Sequence, residues 1–173
     1  TEFDEHGDVA ARTRDACRAA FGRLLGVSVN AIQAGGKIML FGNGGSAADC
    51  QHLATELTIR YKKDRAPIAA IALTTDTSAL TAGGNDLGFE EIFARQLRAL
   101  GKPGDVAIGI STSGNSENVI RALNAAKEMR IVAAAFGGRG GGRMLSVAEP
   151  FLIVPSETTA RIQEMHIMLG QML

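Results

Sequence analysis

The chain has 173 residues, enough for one domain with a substantial core. Its 18 basic residues balance its 18 acidic residues, which argues against a dedicated nucleic-acid binder. No apolar run approaches the ~20 residues of a membrane span, and two cysteines are too few for a disulfide framework. The first residues, TEFDEHGD, lack a signal-peptide pattern. We therefore expect a cytoplasmic protein that binds neither nucleic acid nor membranes.

The chain begins with a predicted helix over residues 8–34, which Gly35 and Gly36 end. Short apolar strands then alternate with further helices. The predicted strands are residues 37–41, 67–73, 105–110, 131–136 and 151–155, and the predicted helices are residues 46–61, 74–82, 88–100, 117–129 and 159 onward. This alternation predicts an α/β fold: a single-domain, three-layer sandwich in which helices flank a five-stranded parallel sheet.

A glycine-rich loop, GNGGSA, follows the first strand at residues 42–47, and Ser46 is predicted to cap the next helix. The loop fits the dinucleotide pattern G-x-G-x-x-G/A in the required strand-to-helix context. The acidic residue expected after the next strand is missing, however, and no Gly-Lys-Ser/Thr follows to make a Walker A loop. The later segment GGRGGGR, residues 137–143, fails the same test. A dinucleotide site is therefore a weak prediction.

The loop after the third strand, STSGNS, places four hydroxyl groups around a glycine where a helix begins. These are the side chains of Ser111, Thr112, Ser113 and Ser116. Backbone N–H groups at a helix N-terminus favour an anion, and hydroxyl groups add directed donors. Serine and threonine are also ordinary helix caps. Four hydroxyls in six residues nevertheless favour a phosphate site.

The helix that follows the first loop carries Asp49, His52 and Glu56, spaced so that all three share one face. His52 and Glu56 could ligate one metal ion, with Asp49 orienting the histidine. A solvated polar stripe is the alternative interpretation. The last helix carries Gln163, His166 and Gln171, and nothing in its local sequence marks these residues as functional.

Several motifs together resemble the sugar isomerase (SIS) domain family and, within it, the bacterial phosphoheptose isomerases. They are GNGGSAADCQH, ALTTDTSALTA, GND, GDVAIGISTSGNS and PSETTARIQEMH, in the family's order from about residue 35 onward. The resemblance implies an aldose–ketose isomerase, an intramolecular oxidoreductase, acting on a sugar phosphate. The reaction would interconvert D-sedoheptulose 7-phosphate and D-glycero-D-manno-heptose 7-phosphate, in heptose and lipopolysaccharide precursor biosynthesis. It also implies a homotetramer with active sites at subunit interfaces, in which residues 1–34 serve oligomerisation and residues 35–173 form the SIS domain.

The resemblance also assigns roles to individual residues. Substrate would be bound by Asn43, Gly44, Gly45, Ser46, Glu56, Asn85, Asp86, Ser111, Thr112, Ser113, Ser116 and Gln163. One zinc ion per subunit would be ligated by His52, Glu56, Gln163 and Gln171. Catalysis would involve Glu56, Asp49 and the position of Gln171. At that last position the family has a histidine, which ligates metal more strongly than glutamine and can carry a proton.

The implied reaction moves a proton between C1 and C2 of the sugar through an enediol(ate), and it needs a base near both carbons. Glu56 is the predicted base. One alternative is a non-catalytic relative in the same family, a tetrameric adaptor that binds the bacterial replication initiator and also lacks the histidine. The chain has Glu56 and both loops, GNGGSA and STSGNS. A non-catalytic adaptor would not need a base, so these residues argue against this alternative. The other alternative is a nucleotide-dependent oxidoreductase, supported only by the GNGGSA match.

Overall fold

The central element of the fold is a five-stranded parallel sheet, in a computed structural model that describes residues 1–173. The strands are β1 (Ile38–Gly42), β2 (Ala70–Ala72), β3 (Val106–Ser111), β4 (Val132–Gly137) and β5 (Phe151–Ile153). Their order is β2-β1-β3-β4-β5, and each neighbouring pair is parallel. The predicted α/β sandwich with a five-stranded parallel sheet is confirmed.

Six α-helices surround the sheet. They are α1 (Glu2–Gln33), α2 (Gly45–Thr58), α3 (Thr77–Asp86), α4 (Ile92–Leu100), α5 (Glu117–Glu128) and α6 (Thr159–Met172). Two 3₁₀ segments, Phe89–Glu91 and Arg139–Ser146, complete the secondary structure. None of these helices combines the length and apolar character that crossing a membrane requires.

The core forms two layers because successive side chains of a buried strand point to opposite faces. In β1, Ile38 and Leu40 pack into the layer formed with α1, α2 and α6. Met39 and Phe41 pack into the opposite layer, formed with α4 and α5. This explains why the central strands read as unbroken apolar runs rather than as alternating ones.

Most predicted boundaries differ from the structure by a few residues, and three of the differences have a clear structural description. Helix α1 begins at Glu2, six residues earlier than predicted, because Thr1 and Asp4 form a capping box. The second strand is limited to Ala70–Ala72. Residues 83–86, GGND, lie between the predicted helices 74–82 and 88–100 and were expected to form a loop. They instead form the last turn of α3, which begins after Asp76 caps the N–H of Ala79.

The order of the strands positions the functional loops. β1 and β3 are neighbours, and the sheet extends in opposite directions from this pair. In such sheets the loops at the carboxyl ends of the two strands enclose a crevice where ligands bind. The loop after β1 and the hydroxyl loop, residues 111–116, therefore lie side by side.

Candidate active site

The glycine-rich loop after β1 approaches β3 closely, because Gly42 has no side chain. A Cβ atom at Gly42 would lie 2.7 Å from the carbonyl oxygen of Ile110, its neighbour across the β1–β3 ladder. Gly44 then adopts a φ of +55°, in the region that favours glycine, and α2 begins at Gly45. The predicted capping role of Ser46 is wrong, because Gly44 is the N-cap and Ser46 is buried within the first turn.

A reciprocal pair of side-chain amides joins the two loops. Asn43 Nδ2 donates to Asn118 Oδ1, and Asn118 Nδ2 donates to Asn43 Oδ1, each at 2.9 Å. Asn118 is only 3% exposed and lies in the first turn of α5. The pair fixes the spacing of the loops and occupies the Asn43 amide, which was predicted to contact substrate. Sequence reasoning missed Asn118, since its partner is adjacent only after β1 and β3 pair.

The hydroxyl loop gathers three of its predicted groups. Ser111 Oγ lies 2.9 Å from Ser116 Oγ and 3.5 Å from Ser113 Oγ. Ser116 is the N-cap residue of α5, yet its side chain makes no capping hydrogen bond. The Ser116 hydroxyl is therefore not used to cap the helix. Together with the N-terminus of α5, the three serines form a site suited to an anion.

A second cluster surrounds Glu56 near the other end of α2. His52 Nε2 lies 3.1 Å from Glu56 Oε1, and Gln171 Nε2 donates to the same oxygen at 3.2 Å. The other carboxylate oxygen, Glu56 Oε2, is buried without a hydrogen-bond partner. His52, Glu56 and Gln171 thus lie together in the structure. The cluster leaves one strong acceptor available to a proton, a substrate or a cation.

Two other predicted members, Asp49 and Gln163, make no hydrogen bond with this cluster. Asp49 makes no hydrogen bond with His52, and its buried Oδ2 has no partner. Burial raises the pKa of the Asp49 carboxyl, and the charge of His52 opposes this rise. Gln163 packs its amide against Gly45, where a Cβ atom would collide with it, and it makes no hydrogen bond to the cluster.

Asn85 and Asp86, the predicted substrate contacts of the GND motif, lie exposed at the end of α3. Asn85 Nδ2 donates to Asp86 Oδ1 at 2.7 Å, and neither side chain hydrogen-bonds to the two loops or to the Glu56 cluster. Within one chain, the structure therefore does not bring these two residues to the other predicted contacts.

Glu56 lies far along α2 from the start of that helix, where the loop after β1 ends. Glu56 lies about 16 Å along the helix axis from Gly45, at 1.5 Å per residue. A cavity of about 230 Å³ beside Glu56 is lined by α2, α6 and the segment that follows α2, without any residue of the hydroxyl loop. The eight bonds from C1 to phosphorus of an extended heptose 7-phosphate span only roughly 9 Å. The substrate is therefore shorter than the distance along α2 from Gly45 to Glu56.

His166, the one histidine of α6, is fully buried. Its Nε2 lies 3.1 Å from the carbonyl oxygen of Gly137, at the carboxyl end of β4. Burial disfavours the charged imidazolium and lowers the pKa of His166 to about 4, although the contact with Gly137 opposes this. His166 is thus a neutral packing residue.

Acidification should destabilise the fold through His166. In the unfolded chain an ordinary histidine takes up its proton near pH 6.5, whereas the folded protein resists until about pH 4. Stability should therefore fall as the pH drops from 6.5 to 4.5, by on the order of 3 kcal/mol from this group. Urea unfolding at pH 7 and pH 4.5 should show a smaller loss in His166→Gln than in the wild type. His6→Gln, at an exposed histidine, is the control, and equal losses in all three proteins would contradict the assignment.

The comparisons with known proteins agree on one family. A family described as the SIS domain matches residues 3–138. A protein of Paramagnetospirillum magneticum named phosphoheptose isomerase is 60% identical over 99% of this chain and 90% of its own length. The phosphoheptose isomerase structure from Neisseria gonorrhoeae has a TM-score of 0.91 at 44% identity, covering 98% of this chain and 90% of that one. The one from Francisella tularensis has a TM-score of 0.94 at 34% identity, with the same two coverages.

Proposed function

Because the chain belongs to the SIS domain family, we propose that it is a phosphoheptose isomerase. The proposed reaction converts D-sedoheptulose 7-phosphate to D-glycero-D-manno-heptose 7-phosphate, a step toward the heptoses of lipopolysaccharide. The observation that carries the proposal is 60% identity, across 99% of the chain, to a protein of that name. Both cysteines are free and buried, which supports a reducing, cytoplasmic setting.

Glu56 is the residue equipped to move the proton. Aldose–ketose isomerisation removes a proton from one of the carbons C1 and C2 and returns one to the other. The buried, unpartnered Oε2 of Glu56 can accept it, while Oε1 is held by His52 and Gln171. These two contacts fix the carboxylate plane, so the basic oxygen keeps one direction throughout the reaction.

The hydroxyl loop would bind the phosphate group of the same substrate. Ser111, Ser113 and Ser116 can each donate to a phosphate oxygen, and the N-terminus of α5 favours the negative charge. Since the phosphate does not react, this binding would be equally strong in the ground and transition states. Its contribution would therefore be to affinity and positioning rather than to the chemical step.

Removal of two of these hydroxyls should weaken substrate binding with little change in turnover. Hydrogen bonds to charged groups contribute about 1.5–3 kcal/mol. Ser113→Ala and Ser116→Ala should each raise KM for sedoheptulose 7-phosphate by about 10- to 100-fold, with kcat within a few-fold. Steady-state kinetics checks this, with thermal unfolding as the control for folding. An unchanged KM in both variants would remove these serines from the phosphate site.

The residues that would hold the proposed zinc ion are His52, Glu56 and Gln171, with Gln163 as the fourth predicted ligand. The chemistry of the donors fits a divalent cation, because an imidazole, a carboxylate with an unpartnered oxygen and an amide converge. Only two of them are strong zinc ligands, and the structure has no group of three or more His, Cys, Asp or Glu that could hold a metal ion. We therefore expect weak binding. When bound, the ion would polarise an oxygen at C1 or C2 of the sugar.

The proposed assembly is a homotetramer whose active sites combine residues of different subunits. The cavity beside Glu56 contains no residue of the hydroxyl loop, which supports a site completed by a neighbouring copy. An exposed apolar groove of about 570 Å³ between α1 and α6, lined by residues such as Phe21, Met168 and Met172, supports contact with that copy. This is consistent with the predicted oligomerisation role of residues 1–34, which include the whole of α1.

Mixed assemblies should reveal such shared sites. Glu56→Gln lacks the base, and the double variant Ser113→Ala/Ser116→Ala lacks two phosphate contacts. If one site uses Glu56 of one subunit and the hydroxyl loop of another, refolding the two variants together should create intact sites. At a substrate concentration where neither parent turns over measurably, activity should return to a substantial fraction of wild type. Light scattering would report the mass of the assembly, and a mixture as inactive as its parents would contradict shared sites.

Turnover of sedoheptulose 7-phosphate by the purified protein, with and without added zinc, tests the proposal as a whole. Isomerisation under either condition supports it. Absence of turnover in both would favour the adaptor alternative, which a pull-down with the replication initiator would then examine. The relatives compared above are named as isomerases and give no support to that alternative. Binding of a dinucleotide in calorimetry would be needed to revive the oxidoreductase alternative.

A further inference from the structure

The glycine segment, residues 140–142, packs directly on the hydroxyl loop. All three residues have positive φ, at +71°, +89° and +52°. A Cβ atom at Gly114 would collide with the carbonyl group of Gly141, and one at Gly142 would lie 2.6 Å from the carbonyl oxygen of Ser113. The two backbones therefore meet without intervening side chains. These residues belong to GGRGGGR, residues 137–143, which does not fit a nucleotide-binding loop. They pack instead against the hydroxyl loop, the predicted phosphate site.

Asn115 connects the two segments through its side chain. Its Oδ1 accepts the backbone N–H of Arg143 at 3.1 Å, and its Nδ2 donates to the carbonyl oxygen of Ser113 at 3.0 Å. Its own backbone N–H donates to Ser113 Oγ at 3.2 Å. A further bond, from the N–H of Met144 to the carbonyl oxygen of Gly114, completes the contact at 3.0 Å. Asn115 therefore fixes both the backbone and the hydroxyl of Ser113.

We infer that Asn115 is a positioning residue that holds Ser113 in the geometry for binding the substrate phosphate. The inference rests on the proposed function. Asn115 is itself exposed and is not part of the core, so its contacts with Ser113 and the glycine segment are its main structural contribution. Since Ser113 Oγ accepts from the N–H of Asn115, that contact does not use the hydroxyl proton, which Ser113 can donate to an anion.

The expected signature is a loss of affinity without a loss of chemistry. Asn115→Ala removes the two side-chain bonds, each of a kind that contributes about 0.5–1.5 kcal/mol. We expect KM for sedoheptulose 7-phosphate to rise about 5- to 50-fold, with kcat within twofold and the midpoint of thermal unfolding lowered by no more than about 2–8 °C. Asn115→Asp keeps the acceptor for Arg143 but loses the donor to Ser113 and adds a negative charge. It should therefore bind the substrate more weakly than Asn115→Ala.

The matched control is Asn124→Ala, at an exposed asparagine on α5 outside the hydroxyl loop. Inorganic phosphate, measured by calorimetry with wild type and Asn115→Ala, separates this inference from the proposed function. If the wild type binds phosphate and Asn115→Ala binds it more weakly, the inference stands even if no isomerisation is found. Equal phosphate affinity, an unchanged KM or an equal effect of Asn124→Ala would overturn it. Failure of the wild type to bind phosphate at all would also overturn it.

Discussion

Replacement of Glu56 by glutamine should reduce isomerisation about 10²- to 10⁴-fold, the usual contribution of a positioned general base. Glutamine has nearly the shape of glutamate and can keep the contacts with His52 and Gln171. It cannot accept the proton, however, because its amide is not basic. Single-turnover measurements of proton exchange at C1 and C2 would show the loss most directly, since they isolate the chemical step.

Binding of sugar phosphate by the Glu56→Gln protein distinguishes loss of chemistry from loss of the site. The hydroxyl loop is unchanged in this variant, so its affinity for sedoheptulose 7-phosphate should stay within a few-fold of wild type. Glu90→Gln, on the Phe89–Glu91 3₁₀ segment, is a control for removing one negative charge from the chain. Near-normal turnover by Glu56→Gln would exclude Glu56 as the base.

Replacement of Gln171 by histidine should strengthen zinc binding. In the wild type the Gln171 amide donates to Glu56, which leaves His52 and Glu56 as the only strong ligands of the cluster. Imidazole is a better ligand for zinc than a neutral amide. We expect Gln171→His to lower the zinc dissociation constant about 10- to 100-fold, a range typical of altered metal-site interactions. Calorimetry on chelator-treated protein measures this without relying on activity.

The same variant should also raise turnover, because a histidine can carry a proton near neutral pH and glutamine cannot. Met172→His, at the next and exposed position of α6, is the matched control for adding an imidazole. If the wild type binds zinc as tightly as Gln171→His, the glutamine is an adequate ligand and the expectation of weak binding is wrong. If Met172→His has the same effect as Gln171→His, the effect does not come from the site.

The candidate site was only partly predictable from local patterns. His52 and Glu56 are neighbours on one helix, so their spacing alone predicted the contact. Gln171 was assigned through the family resemblance, and its contact with Glu56 depends on α2 and α6 packing side by side. Asn118 and Asn115 carried no local signal, because their partners lie on other loops.

The sequence by itself determined the order and type of nearly every element and the parallel sheet. Strand and helix periodicities are local properties, and buried parallel strands require continuous apolar runs. The tertiary structure alone decided which loops touch. It paired Asn43 with Asn118 and placed the glycine segment behind Ser113. It also left the hydroxyl loop out of the cavity beside Glu56. The physical reason is that these contacts join residues distant in sequence, and only the strand order and the packing of the helices bring such residues together.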